Sequence, residues 1–329
     1  MNNILIIGLG SSSISHIKNL SQINKDYYFY ILSRKEEIKL KFLSKKKYCH
    51  ITKISELSLE QIKNAFICTG SNEHLKYIKI LSKRKIDIFV EKPLMNSTKK
   101  MKDFKKIFKN SKNKIYIGYN LLFSNSLNYL KEKEIYKENI NKINIKAAYY
   151  LPLWRKNTDY RASVSSNKNK GGGVLLELSH ELHYLLWLYG KPIWTSAIIQ
   201  KISNLKIDVE DNAFITLGFK KFVCTVELDF ISKKYERFCK IDTDKNSYLW
   251  NFKKNSVERF DKNNKSKILY KKKFDINKIY LNQLKHFLKS NYKQTNKYID
   301  HAINTLKVID SIKVSSSKNG AMEKIDYRD

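Results

Sequence analysis

The chain has 329 residues, of which 42% are hydrophobic and 12% aromatic, enough for the cores of two domains. Its formal charge is +33, yet 57 of the 64 basic residues are lysines scattered along the whole length, without a basic helix of recognition type, which argues against a nucleic-acid partner. No apolar run reaches the ~20 residues of a membrane span, and Cys49, Cys68, Cys224 and Cys239 lack paired metal-ligand spacing, as expected of reduced thiols in a cytoplasmic protein.

Asn3–Ile7 reads as a short buried strand, with Gly8-Leu-Gly10-Ser-Ser-Ser13 after it and helical periodicity through Leu20 and Ile23. Strand, glycine turn and helix amino terminus together make a pyrophosphate cradle. Gly8 permits the tight turn and Gly10 lets the backbone approach the phosphates. Ser11, Ser12 and Ser13 open the helix, Ser13 standing where the usual fingerprint has its third glycine. Tyr27–Leu32 is the second strand. Ser33-Arg34-Lys35 follows it, where NAD-specific folds carry a carboxylate for the ribose hydroxyls. Ser33 and Arg34 suit a 2′-phosphate, so the expected cofactor is NAD(P) with a lean to NADP(H); otherwise Arg34 is a solvated residue.

Ala65–Cys68 is another buried strand, and Thr69 and Gly70 after it are expected to line the dinucleotide crevice. His74 either touches the ligand or packs at the helix start, ahead of Leu75, Ile78 and Leu81. Ile88–Val90 runs into Glu91-Lys92-Pro93, where the proline stops the strand and leaves Lys92 at its carboxyl end. Ligands of parallel α/β sheets sit just outside that end. A helix from Ser97 to Phe108 and a strand from Ile115 to Gly118 lead to Tyr119-Asn120. This alternation predicts an α/β class: a doubly wound parallel sheet over 1–119 that binds a dinucleotide, then a second domain over 120–329.

The second domain starts with helix Ser124–Glu134 and strand Lys142–Tyr150. Trp154, Arg155, Asp159 and Arg161 crowd the irregular segment that follows. Aromatic faces stack on sugars and arginine forks hold hydroxyls or carboxylates; the alternative is a structural loop with Trp154 and Tyr160 as covers. Gly171-Gly-Gly173 leads a helix that Gly190 and Pro192 end. Glu177, His180 and His183, each three apart, share a stripe of that helix and suggest a site lining, with a structural role for His183 as the alternative. Zinc helices space their histidines four apart, so no metal is expected. Ile193–Gln200, Ala213–Phe219, Val223–Phe230, Phe238–Asp242 and Tyr248–Asn251 predict a mostly antiparallel sheet, and helices Ile276–Ser290 and Lys297–Ser317 close the chain.

In this order, Gly8-Leu-Gly10, Glu91-Lys92-Pro93, Gly118-Tyr-Asn120 and the glycine-led helix with His180 resemble the glucose–fructose oxidoreductase and inositol dehydrogenase (Gfo/Idh/MocA) family. The segments Tyr150-Leu-Pro-x-Trp154-Arg155, Asp159-Tyr-Arg161 and Gly171–Gly190 look like its bacterial branch associated with surface-polysaccharide sugars. The resemblance implies a Rossmann domain plus an α+β domain whose open sheet builds homodimers or homotetramers. It implies hydride transfer between NAD(P) and a secondary alcohol or ketone of a sugar, nucleotide sugar or cyclitol. Lys92 matches the family lysine and His180 the family histidine; Glu177 is the nearest candidate for the family's aspartate. On that basis Glu91 and Lys92 border the cofactor, Lys92 and His180 act on the substrate oxygen, and Glu177 or His183 orients His180. Tyr119, Asn120, Trp154, Arg155, Asp159, Arg161 and His183 are the expected substrate contacts. The family often has arginine and histidine where this chain has Leu122 and Ser124, and an acid where it has His183, which leaves the sugar open. A dinucleotide-binding sensor and a reductase of imines or other unsaturated acceptors are the alternatives on the same fold.

Overall fold

The computed structural model describes residues 2–35, 37–155 and 158–328; Lys156 and Asn157 of the Tyr150–Arg161 segment lie outside these. Met1–Asn120 with Asp275–Ala302 form one compact unit, and Leu121–Phe274 with Ile303–Asp329 a second.

In the first unit, β1 (Asn2–Ile7), β2 (Tyr27–Leu32), β3 (Tyr48–Ile51), β4 (Ile62–Ile67), β5 (Asp87–Val90) and β6 (Ile115–Ile117) make one sheet in the order β3-β2-β1-β4-β5-β6. Every pairing in it is parallel. α1 (Ser11–Ile23), α2 (His74–Leu81) and α3 (Met101–Asn110) lie in the crossovers β1→β2, β4→β5 and β5→β6. A sheet covered on both faces needs strands that are apolar throughout, and Ile4, Leu5, Ile6 and Ile7 are all fully buried. The chain order reverses between β1 and β4, the position where open parallel sheets leave a crevice. β3 escapes the sequence pattern because Tyr48-Cys-His-Ile51 is short and half polar.

The second unit begins with α4 (Asn125–Glu132), β7 (Ile140–Ala148) and the single turn α5 (Leu151–Trp154). The helix expected over Gly171–Gly190 is two pieces, α6 (Val174–Glu177) and α7 (His180–Tyr189). β8 (Trp194–Gln200), β9 (Asn212–Gly218), β10 (Val223–Asp229), β11 (Glu236–Thr243), β12 (Ser247–Asn251), β13 (Ser256–Phe260) and β14 (Ser266–Lys271) follow. With β15 (Glu323–Lys324) they form a nine-stranded sheet, β14-β13-β12-β11-β7-β10-β9-β8-β15, in which only β7 and β10 pair in parallel. β10 shows the two-residue period of a half-covered sheet: Cys224, Val226 and Leu228 are buried, while Val223 and Thr225 face out. The strand pattern reaches about Phe260 but singles out no strand beyond Asn251, since Ser-Val-Glu-Arg-Phe of β13 and Ser-Lys-Ile-Leu-Tyr-Lys of β14 are too charged to read as core strands.

α8 (Ile276–Lys289) and α9 (Tyr292–Ser317) complete the helices. The sequence pattern assigned α8 to the second domain; it packs against α1 in the first unit instead. Periodicity shows which face of a helix is apolar but not which core receives it. Phe287 meets the rings of Phe66, Phe89 and Tyr116 at 5.5, 5.5 and 5.6 Å. The buried Lys114 ammonium donates to the carbonyls of Phe287 (2.8 Å) and Ser290 (3.1 Å) and pairs with Asp87 at 2.9 Å. It thus satisfies carbonyls that the end of α8 would otherwise leave bare.

Candidate active site

All strands of the first sheet are parallel, so all their carboxyl ends lie on one edge. Backbone bonds carry the ladder one step past the strands there: Gly8 N–H to Leu32 O (2.9 Å), Cys68 N–H to Ile7 O (2.8 Å), Glu91 N–H to Ile67 O (2.9 Å) and Gly118 N–H to Val90 O (2.8 Å). Ser33, Thr69, Lys92 and Tyr119 each follow one of these strand exits, so every site residue expected from the first unit belongs to this edge.

Gly8 has φ +89°, and a Cβ there would stand 2.8 Å from Cys68 O, so no other residue fits the turn without strain. Gly10 precedes α1 in extended conformation, and a Cβ on it would meet nothing within 4 Å. The space before the helix is therefore open. Ser13 is buried, its hydroxyl donating to Gly10 O and accepting from Gly10 N–H, both at 2.8 Å. The first intrahelical bond runs from Ile14 N–H to Gly10 O, which puts the N–H groups of Ser11, Ser12 and Ser13 ahead of it, with no acid in that turn. Thr69 Oγ1 and Ser71 Oγ are buried without a protein hydrogen-bond partner. An open glycine turn, a bare helix start and two orphaned hydroxyls fit a dinucleotide. Gly10→Ala should leave the melting temperature nearly unchanged but weaken dinucleotide binding about ten-fold or more, because its methyl enters the open space; Gly8→Ala should lower the melting temperature itself. Calorimetric titration and thermal melts of the two variants distinguish these effects.

Ser33 is buried and its Oγ accepts from Lys35 N–H at 3.1 Å. Arg34 is 84% exposed and ion-paired with Glu73. Glu91 turns back to α1, its Oε1 2.6 Å from His16 Nε2. A carboxylate only accepts, so Nε2 carries the proton. Phe66, Phe89 and Tyr280 enclose the His16 ring. Burial raises the Glu91 carboxyl pKa, but the bond and charge of His16, together with Lys92, outweigh burial and hold it below the usual range. The Lys92 N–H donates to Glu91 Oε2 at 3.2 Å, so α1 steadies the backbone from which Lys92 projects. His74 is fully buried, with Nδ1 facing Pro93 O (3.0 Å) and Leu94 O (3.2 Å) and Nε2 facing Thr69 O (3.1 Å). Its proposed ligand contact therefore gives way to the packing alternative: it ties the Pro93 turn to Thr69. Burial is the main influence on its pKa and lowers it. Tyr119 and Asn120 are 2% and 7% exposed.

In the second unit, Gly173 has φ +107°, and a Cβ there would stand 2.3 Å from Glu210 Oε1. Only glycine lets α6 start against that carboxylate. The stripe expected of Glu177, His180 and His183 is interrupted at Leu178 and Ser179, so His180 begins a helix of its own. His180 is half-buried and His183 is 2% exposed. Glu177 Oε2 accepts from Ser165 Oγ at 3.0 Å and lies 3.9 Å from the Arg155 guanidinium. Trp154 stacks on Tyr149 at 5.0 Å, with Arg155 5.5 Å over the Trp154 ring. Trp154, Arg155 and Glu177 are thus brought together. Asp159 and Arg161 are not part of this group: they bind each other at 2.8 Å, about half exposed, which spends the Arg161 fork locally.

The sequence pattern overlooked Glu181 and Arg237. Arg237 Nε and Nη2 donate to the two Glu181 oxygens at 2.7 and 2.8 Å, and Nη1 donates to the Tyr149 hydroxyl at 3.0 Å. The Glu181 and Arg237 side chains are 0% and 7% exposed. Burial disfavours the guanidinium charge, but Glu181 outweighs it and raises the Arg237 pKa well above its ordinary value. The signal was there: an acid inside an apolar helix next to His180, and one of only seven arginines. Among the described residues no cluster of three or more metal-ligating side chains occurs.

Residues 2–119 match the model of an oxidoreductase family with an NAD-binding Rossmann fold (GFO/IDH/MocA), and residues 140–249 match the GFO/IDH/MocA C-terminal domain. Among solved structures, an oxidoreductase from Thermotoga maritima aligns with TM-score 0.81 and 15% identity over 98% of both chains. Levoglucosan dehydrogenase in complex with NADH and levoglucosan aligns with TM-score 0.81 and 14% identity, over 99% of this chain and 100% of its own. UDP-N-acetylglucosamine 3-dehydrogenase from Acidithiobacillus ferrooxidans aligns with TM-score 0.76 and 13% identity, over 96% of this chain and 98% of its own. Identities this low establish the fold alone. No curated protein matches the chain.

Proposed function

The chain belongs to the Gfo/Idh/MocA family of NAD-binding oxidoreductases, and we propose that its substrate is a secondary alcohol or ketone of a sugar, nucleotide sugar or cyclitol. The observation that carries this reading is the single edge of the first sheet: the open glycine turn leaves β1 and Lys92 leaves β5 on that edge, with β4 between them. A bound nicotinamide supplies or accepts the hydride. His180 takes the hydroxyl proton in oxidation and returns it in reduction. Lys92 donates a hydrogen bond to the substrate oxygen as negative charge gathers on it. Glu177, held by Ser165, orients His180, and the Trp154 face with Arg155 holds the sugar ring.

Arg34 supports the finer reading of NADP(H) as the preferred cofactor. The Tyr150–Arg155 segment supports a sugar of surface-polysaccharide metabolism, in keeping with the nucleotide-sugar dehydrogenase among the structural neighbours. The uncovered face of the second sheet, with Asn144, Thr216 and Thr225 around a 54% exposed Phe214, supports a homo-oligomer through that sheet. Sedimentation of the chain as a monomer throughout the micromolar range would remove the oligomer. The activity is tested by absorbance of reduced nicotinamide against a panel of sugars, cyclitols and nucleotide sugars. Turnover with a member of the panel is the expected result; tight dinucleotide binding with no turnover on any member would assign the chain to a sensor instead.

A further inference from the structure

We infer that Glu73 sets the balance between NADP(H) and NAD(H), by holding the guanidinium that a 2′-phosphate needs. The inference rests on the cofactor reading above and concerns the rim of the same crevice. Arg34 follows β2, and Glu73 stands just before α2, after β4. β2 and β4 flank β1 in the sheet, one on each side. Strands are spaced ~4.8 Å apart, so the pair reaches across roughly two strand widths, over the exit of β1 where the glycine turn begins. Its two charges therefore belong to opposite walls of the crevice. Ser33 is a poor substitute for Arg34, since its side chain is buried and carries no charge.

The chemistry follows from what each cofactor presents. A 2′-phosphate brings nearly two negative charges and three acceptor oxygens, a better match to the guanidinium fork than one carboxylate. Arg34 is 84% exposed, and exposed ion pairs are held weakly, so the phosphate can take it over. Glu73 is then left uncompensated beside the phosphate, and the repulsion lowers NADP(H) affinity. A free 2′-hydroxyl causes no such conflict. Glu73 accordingly penalises one cofactor and not the other.

The test measures dissociation constants of NADPH and NADH on the full chain, by energy transfer from protein aromatics to the nicotinamide, for wild type, Glu73→Gln and Arg34→Gln. Thermal melts check that the variants fold. Glu73→Gln should tighten NADPH about ten-fold and leave NADH within about two-fold, as removal of one nearby like charge predicts. Arg34→Gln should weaken NADPH and spare NADH. An unchanged NADPH-to-NADH ratio in Glu73→Gln overturns the inference while leaving the cofactor reading intact. Failure of the wild-type chain to bind either dinucleotide overturns the cofactor reading itself.

Discussion

Replacing His180 with alanine lowers kcat by about 10²–10⁴-fold, or roughly 3–5 kcal/mol in the barrier, while dinucleotide affinity stays within about two-fold. The imidazole is the base in the proposed reaction, and a positioned base contributes that much by removing the hydroxyl proton as the hydride departs. His180 opens α7 at a break in the helix and is half-buried, so its removal should cost little folding stability. Lys92→Met acts by a different route with a similar outcome. It keeps the length of the stem but deletes the charge that stabilises the oxygen in the transition state, so kcat falls and KM changes less. Steady-state kinetics on the substrate found in the panel, with NADPH or NADH titrations alongside, measure both. Near wild-type kcat in either variant would remove that residue from the mechanism.

The second large effect is on stability. Arg237→Met leaves the Glu181 carboxylate fully buried without its cation, and removing one partner of a buried pair costs about 3–5 kcal/mol. Tyr149 also loses the guanidinium to which its hydroxyl is bound, and Tyr149 is the ring under Trp154. The variant should therefore unfold earlier in urea and also loosen the segment bearing Trp154 and Arg155. Glu181→Leu combined with Arg237→Met removes both charges and should recover most of the loss, since apolar replacement of a buried pair is often close to neutral. Urea melts of the single and double variants, followed by tryptophan fluorescence, measure this. A single variant within about 1 kcal/mol of wild type would show that the pair does not anchor the second unit.

Much of the parallel sheet is readable because β1, β5 and β6 are apolar runs that stop at or just before Gly8, Pro93 and Gly118. Gly8, Gly10 and Lys92 could be placed from the strands that precede them, because a parallel sheet puts every carboxyl end on one edge. Residues whose surroundings come from distant segments were not readable. His74 lies opposite Pro93 and Leu94, and His16 opposite Glu91, pairings that local sequence does not encode. Arg34 and Glu73 are 39 residues apart and pair only because β2 and β4 flank β1. Arg161 and Asp159, which the sequence reads as a binding group, are two apart and bind each other within a local turn. The division of the glycine-led helix into two was hidden by leucines that continue the apolar pattern across the break.

Because α8 packs into the first unit, that unit is discontinuous in the chain. On a ribosome, the six parallel strands emerge long before Phe287, and the aromatic surface of Phe66, Phe89 and Tyr116 stays uncovered until then. The dinucleotide half thus cannot mature ahead of the other half in the amino-to-carboxyl order usual for tandem domains. Translation of the entire intervening segment, Leu121–Phe274, must come first.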